Sequence, residues 1–358
     1  MTERKMATVR KILEIKKIEG ADKIQAYRVD HWWVVDQVDK YKVGDLVIYC
    51  EIDSWIPHEL APFLSRGKEP REFNGIKGER LKTIRLKGQL SQGLLLPTNL
   101  LYNFEDNEDF LPEEDLDVSE WLNITKWELS EKEFIKRYGA NPQARKGGFP
   151  WYIPKSDQER IQNIKDRTIY RWIESGIEWE VTEKLEGSSL TAYVHEDDEG
   201  VCSRNINLKR PEEGDPVNPW WFAADKYDLI NKLKKIREDT DFEFAIQGEI
   251  IGTGLNGNHY KLDTIEFYCY NLWDILNQKW VDPSARRSLC EIYDIPHVPV
   301  LYTNFIIPPV YNVESLIDLA DGTSRLKDVP REGLVYKSAN GSESFKSVSN
   351  LYIFNKSI

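Results

Sequence analysis

The chain has 358 residues, of which 41% are hydrophobic, and a formal net charge of −12. That length suits two domains of roughly 100–200 residues each, and the apolar content can fill a sizeable core. No apolar run approaches the roughly 20 residues that span a membrane, and the acidic balance excludes a non-specific nucleic-acid coat, although not an enzyme with a local basic patch.

The start, Met1 to Arg10, is charged and lacks a secretory apolar region. The four cysteines, Cys50, Cys202, Cys269 and Cys290, are widely spaced and form no CxxC pair. This predicts free thiols in a reducing, cytoplasmic setting rather than a zinc site. In Asp45–Asp53, Leu46, Ile48, Cys50 and Ile52 alternate with Val47, Tyr49 and Glu51, a period of two that predicts a strand. Val43-Gly44 and Asn74-Gly75 supply turns. Arg80–Pro97 predicts paired strands broken at Gly88 and Gly93, carrying Lys82, Arg85 and Lys87. About five short strands in the first hundred residues predict a small closed barrel such as an OB-fold, and a basic edge there suits either a nucleic-acid surface or a solvated strand.

Glu105–Glu120 is acidic and reads as a solvated loop and linker. Gln143–Pro154, with Gly147, Gly148, Pro150 and Pro154, suits a connection between domains. The expected division is 1–125, a linker over 126–153, and 154–358. Ser156-Asp157-Gln158-Glu159 has capping-box spacing and predicts a helix start, with Arg160 near its first turn. Beyond, Glu178–Val194, Phe242–Ile251 and Thr264–Leu272 predict core strands. Leu229, Ile230, Leu233 and Ile236 recur at helical spacing, and Asp282-Pro283 predicts a capped helix with proline at its first position. The mixture, without regular strand–helix alternation, is an α+β domain.

The chemistry concentrates at Thr182-Glu183-Lys184-Leu185-Glu186-Gly187-Ser188-Ser189, a strand running into a glycine turn. A lysine amine is a nucleophile when its neutral form is accessible, and attack on the α-phosphate of ATP would give a lysine–AMP phosphoramide. Alone, K-x-x-G is weak, and most such lysines are surface charges. An ordered set follows it: Ser203-Arg204-Asn205, Gln247-Gly248-Glu249, the aromatic strand Phe267–Tyr270, Glu332-Gly333-Leu334-Val335-Tyr336-Lys337 and Phe345-Lys346. Nucleotidyl transfer needs such parts. Cations must face the triphosphate, Glu249 and Glu332 can hold a divalent ion or its waters, and Tyr270 can stack on adenine. Lys346 and the ion would lower the pKa of Lys184. Singly, each has an ordinary explanation: a strand-end charge for Glu249, Glu332 or Arg204, a core ring for Tyr270, a solvated lysine for Lys346.

On these motifs the chain resembles the covalent nucleotidyltransferases, which include ligases and mRNA capping enzymes. Within them it is most similar to family-five RNA ligases, which carry an OB domain in front of an ATP-grasp-like catalytic domain. Phe149-Pro150, Pro154-Lys155-Ser156-Asp157 and Arg160-Ile161-Gln162-Asn163 also resemble the segment before the nucleophile in that family. The resemblance implies Lys184 as the adenylylated residue, Glu186 as the acidic position of its motif and Arg204 as a group for phosphate or the nucleic-acid end. It implies Arg160, Glu186, Glu249, Tyr270 and Glu332 around ATP, Glu249 and Glu332 toward Mg2+ or Mn2+, and Lys346 on phosphate. One departure is Val348, where many relatives place a second lysine; Lys337 is the expected substitute.

The implied reaction joins a 3′-hydroxyl to a 5′-phosphate of RNA, at nicks or breaks, through lysyl-AMP and an adenylylated 5′ end. No membrane partner and a monomer are expected. The competing readings are a DNA ligase, a capping-type guanylyltransferase and a non-catalytic OB-fold RNA-binding protein.

Overall fold

Alternation of apolar residues builds the first sheet. Its strands are β1 (Ala7–Lys17), β2 (Ile24–Val29), β3 (Trp32–Gln37) and β4 (Leu46–Cys50). They are followed by β5 (Ser54–Pro57), β6 (Arg71–Phe73), β7 (Ile76–Arg80), β8 (Ile84–Leu86), β9 (Gln89–Ser91), β10 (Leu94–Pro97) and the short β11 (Thr125–Lys126). The computed structural model describes residues 4–103, 111–128 and 145–356. Part of the acidic stretch (105–110) and most of the expected linker (129–144) lie outside the described residues. The chain divides into two compact units, Met1–Ser130 and Glu131–Lys356.

In the first unit the main sheet runs β10-β4-β1-β2-β3, all antiparallel. The alternation in β4 is borne out, but neither face is wet. Ile48 and Cys50 enter one apolar cluster with Val9 and Leu96, while Val47 and Tyr49 enter another with Trp32 and Leu95. A second sheet, β11-β5-β7-β6, and a β8–β9 hairpin complete the unit. Among the described residues ten strands precede residue 100, where about five were expected. The hairpin turns at Lys87-Gly88, both at positive φ (49° and 82°), as two-residue turns of this type require. Lys82, Arg85 and Lys87 are exposed on and beside it.

The second unit is mixed. Its elements are β12 (Arg145–Gly148), β13 (Glu159–Arg160), α1 (Asp166–Glu174), β14 (Glu178–Lys184), β15 (Ser188–His195), β16 (Asp198–Cys202) and β17 (Ile206–Leu208). Then come α2 (Pro219–Lys226), α3 (Leu229–Thr240), β18 (Phe244–Gly252), β19 (Ile265–Asp274), β20 (Lys279–Trp280) and α4 (Pro283–Ile292). The chain finishes with β21 (Val300–Ile306), α5 (Val313–Ala320), β22 (Gly333–Ser338), β23 (Ser344–Val348) and α6 (Asn350–Lys356). One sheet has the order β12-β17-β16-β15-β18-β19-β20, the other β13-β23-β22-β14-β21.

The helix periodicity over 229–236 holds, with all four apolar residues buried on α3. Asp282 caps α4, accepting from the Ala285 N–H at 2.9 Å, with Pro283 at the first position. The expected helix at Ser156–Glu159 is absent. Glu159 and Arg160 form β13 instead, paired in parallel with Phe345 and Lys346, and α1 begins only at Asp166. The polar side chains that mimic a capping box turn to other partners, described below. Among the described residues no helix is long and apolar enough to cross a membrane.

Phe345 anchors the second sheet. Its ring stacks on Tyr336 at 4.3 Å and on Trp172 at 5.2 Å, and meets Trp179 edge-on at 5.1 Å. Each such pair adds about 0.5–1.5 kcal/mol beyond area burial. Because strand side chains alternate, fixing Phe345 on the core side fixes Lys346 on the other.

Candidate active site

The stretch 178–194, expected as strand, is divided. Lys184 ends β14 in one sheet and Ser188 opens β15 in the other, so Leu185–Gly187 is the crossover between sheets. Gly187 is needed there for space, since a Cβ would run into the carbonyl oxygen of Ile250 on β18. The Gly187 carbonyl accepts from Asn256 Nδ2, and the Glu186 N–H donates to Tyr260 Oη at 3.0 Å. The turn after Lys184 is therefore clamped on both sides.

Register does the rest. Trp179 and Val181 of β14 enter the core with Leu334, Tyr336 and Phe345, which leaves Lys184 on the opposite face. Lys184 stands opposite Gly333, Gly333 opposite Val348, and Val335 opposite Lys346. Lys184, Lys346 and Val348 thus share one face. Glu332, just before β22, accepts from Lys184: Nζ to Oε1 is 2.6 Å. Its Oε2 is buried with no hydrogen-bond partner. On the other sheet, Glu249 is opposite Ser189 and Tyr268, while its neighbours Ile246 and Ile250 point into the main core.

The charges are unevenly matched. Burial pushes the Glu249 carboxyl up to about 8; the like charges of Glu332 and Glu186 add, and Lys184 and Arg204 oppose. Burial also raises Glu332 against the pull of Lys184. For Lys184, burial disfavours the ammonium, but Glu332 and Glu249 outweigh it and the net shift is upward. The expected lowering of Lys184 called on Lys346 together with an ion, and Lys346 by itself does not produce it. Two carboxylates close to the amine outweigh one lysine. Lys346 itself is pulled down to about 8 by burial, with Arg160 and Lys184 adding and Asp157 opposing.

Tyr270 is half-buried, its hydroxyl 3.1 Å from Ser156 Oγ and 2.9 Å from Ser189 Oγ, and burial raises it to about 12. Arg204 sits in the turn between β16 and β17 and reaches Asp157 Oδ2 at 3.1 Å. Asp157 Oδ1 accepts from Lys346 at 2.7 Å. Glu186 accepts from Lys356 of α6 at 2.6 Å. Burial works against the Glu186 carboxylate, yet Lys356 and Lys184 hold its pKa below the usual range.

Two expectations change. Arg160 lies on β13 rather than on a helix, directly beside Lys346 in the sheet. Lys337 is not available to phosphate. Its buried Nζ donates to the Tyr270 carbonyl and to Asn271 Oδ1, so it supports β19. Val348 is correspondingly buried, at 6% exposure, in the row that contains Lys184. Sequence reasoning missed Asp157, Ser156, Ser189, Tyr260 and Lys356 as members of this site. Asp157 and Ser156 were absorbed into a false helix cap, and the others carried no signal short of the fold.

An RNA ligase family model matches residues 177–349, and an OB-fold domain family matches residues 6–98. A lysine-to-methionine mutant of the Naegleria gruberi RNA ligase with AMP and Mn is 36% identical, with a TM-score of 0.83, over 99% of this chain and 100% of that chain. The chain belongs to the RNA ligase family. A lysine-to-alanine mutant of the same Naegleria gruberi ligase with ATP and Mn is 36% identical, with a TM-score of 0.81 over 98% of this chain and 99% of that one. The Naegleria gruberi ligase with PPi is 37% identical, with a TM-score of 0.80 over 98% of each chain. No curated protein matches significantly. The present ligase has an N-terminal OB-fold domain followed by a mixed α+β domain, as the strand pattern predicts. The ligase match spans Lys184, Arg204, Glu249, Tyr270, Glu332 and Lys346, but begins after Asp157 and Arg160.

Proposed function

We propose that this ligase seals RNA 3′-hydroxyl and 5′-phosphate ends with ATP, and that Lys184 is the residue adenylylated. The reading is carried by Lys184 Nζ lying 2.6 Å from Glu332, with Glu249, Arg204 and Lys346 converging from distant parts of the chain. In the first step Lys184 Nζ attacks the α-phosphorus, an N–P bond forms, and the bond to pyrophosphate breaks. The 5′-phosphate of RNA then takes the adenylate as a 5′–5′ anhydride and frees Lys184. Finally the 3′-hydroxyl oxygen attacks that phosphate, AMP leaves, and the strand is joined. Lys346 and Arg204 balance phosphate charge, and Tyr270 stacks on adenine. Positioning and charge stabilisation are the main contributions of the protein.

Glu249 and Glu332 suit a divalent cation. Burial, with the like charges of Glu332 and Glu186, raises the first to about 8, and the other has an unpartnered buried oxygen. Among the described residues no cluster of three His, Cys, Asp or Glu side chains could hold a metal ion by itself. Two carboxylates completed by water and phosphate oxygens are a usual Mg2+ arrangement, and Mn2+ suits the same donors. Such an ion, when bound, neutralises phosphate oxygens. With Glu332 and Glu249 engaged elsewhere, burial and the nearby Lys346 favour the neutral, nucleophilic form of Lys184.

Nicked duplex RNA, a monomeric state and an intracellular location complete the proposal. The four cysteines are free and buried, as a reducing compartment permits. Incubation with α-labelled ATP should label the wild-type protein, and Lys184→Ala should abolish the label. A labelled Lys184→Ala protein would overturn the assignment. Nicks ending in ribose or deoxyribose test the RNA preference, and size-exclusion chromatography tests the monomer.

A further inference from the structure

Asp157 has no part in the reaction above, yet it touches two of its cations. Its carboxylate bridges Lys346 Nζ at 2.7 Å and Arg204 Nη2 at 3.1 Å. These cations come from β23 and from the β16–β17 turn, which belong to different sheets, so no local geometry forces them to share a partner. Their common neighbourhood is the nucleotide site: Lys184 acts on Lys346, and Arg204 acts on Glu249 and Tyr270. A carboxylate between a lysine and an arginine satisfies the same donors as two oxygens of a phosphate group. Lys346 is largely buried, with 14% of its side chain exposed. A buried ammonium without an anion is strongly disfavoured.

We propose that Asp157 is the resident counter-ion of the phosphate site, holding Lys346 and Arg204 in place until a phosphate group of ATP displaces it. This rests on the ligase reading for the identity of the incoming phosphate. Asp157 is a positioning residue that competes with substrate. It keeps the empty site ordered and lowers the affinity for nucleotide, because its hold on the two cations must be broken on binding. Removing the charge while keeping the shape should therefore tighten binding, whereas loss of a merely structural residue would weaken it.

The test is equilibrium binding of ATP with Mg2+ by calorimetry, with lysyl-AMP labelling measured in parallel. Asp157→Asn should bind ATP several-fold to about 10-fold more tightly than wild type, about 1.4 kcal/mol at the upper end. Asp157→Glu, which restores the charge, should return the affinity most of the way to wild type. If Asp157→Asn does not fold, Asp157→Ser removes the same charge and carries the same prediction. Unchanged or weaker binding by the charge-free variant overturns the counter-ion role. A wild-type protein that binds ATP but never becomes labelled defeats the ligase reading instead, and leaves the binding comparison to decide Asp157.

Discussion

At the scale of single residues the site is a set of paired charges waiting for a more highly charged partner. Lys184 is tied to Glu332, Lys346 to Asp157, and Glu186 to Lys356. Glu249 is the exception, raised to about 8, and it makes the free protein sensitive to pH. A carboxyl whose folded pKa lies above its unfolded value binds more protons when folded, so stability falls as pH rises between the two values. For Glu249 that window runs from 4.5 to about 8. Lys346 has its folded pKa below its unfolded value, so its contribution rises with pH from about 8 to 10.5. The summed contribution of these two groups is lowest near pH 8. A divalent ion needs the ionised carboxylate, so the melting-temperature increase on adding Mg2+ should grow between pH 6.5 and 8.5. In Glu249→Gln that growth should vanish, and thermal scanning across the pH range would show it. Lys337 makes a separate prediction. Lys337→Met removes the support beneath Tyr270 and Asn271, and should raise KM for ATP about 10-fold through about 1.4 kcal/mol of lost positioning. Global stability should also fall, by about 1–3 kcal/mol, because the buried Tyr270 carbonyl and Asn271 Oδ1 lose their donor. A KM at the wild-type value would exclude this role.

At the scale of elements, the crossover Leu185–Gly187 is the feature on which the site depends. It carries the chain from one sheet to the other within three residues, and it does so only because Gly187 lies against β18 without a side chain. Gly187→Ala should push the crossover and the start of β15 away from β18, cost about 1–3 kcal/mol as local overpacking, and reduce lysyl-AMP formation more than it reduces ATP binding. Comparing labelling rates with equilibrium affinity separates the two effects. The place of Val348 is also an element-scale fact. Its row passes through Gly333 to Lys184, so an apolar side chain shares the lysine's own face.

For the whole molecule, every residue assigned to adenylylation lies in the unit Glu131–Lys356. The first unit contributes the exposed Lys82, Arg85 and Lys87 around its β8–β9 hairpin, a surface suited to a polyanion. Deleting the first unit should leave lysyl-AMP formation within a few-fold of wild type, while sealing of nicked RNA is lost. Replacing the three basic residues with alanine should weaken sealing and flatten its salt dependence, by about one unit of slope for each RNA phosphate that no longer meets a cation. A deletion protein that seals normally would remove the first unit from RNA handling.

The sequence by itself determined which side chains are candidates for the chemistry and their order along the chain. Lys184, Arg204, Glu249, Tyr270, Glu332 and Lys346 could be picked out as candidates because nucleotidyl transfer demands those side-chain types and because each sits beside a strand or glycine signal. Strand periodicity, the α3 stripe and the Asp282 cap were legible because they depend on neighbours within a few residues. The tertiary structure alone decided which charges meet. Asp157 looked like part of a helix cap until β13 paired with β23 and gave its carboxylate Lys346 and Arg204, and Lys337 looked like a phosphate ligand until the packing of two sheets placed Tyr270 and Asn271 against it. Coulomb energy depends on distance through space and on burial, and neither can be read from spacing along the chain.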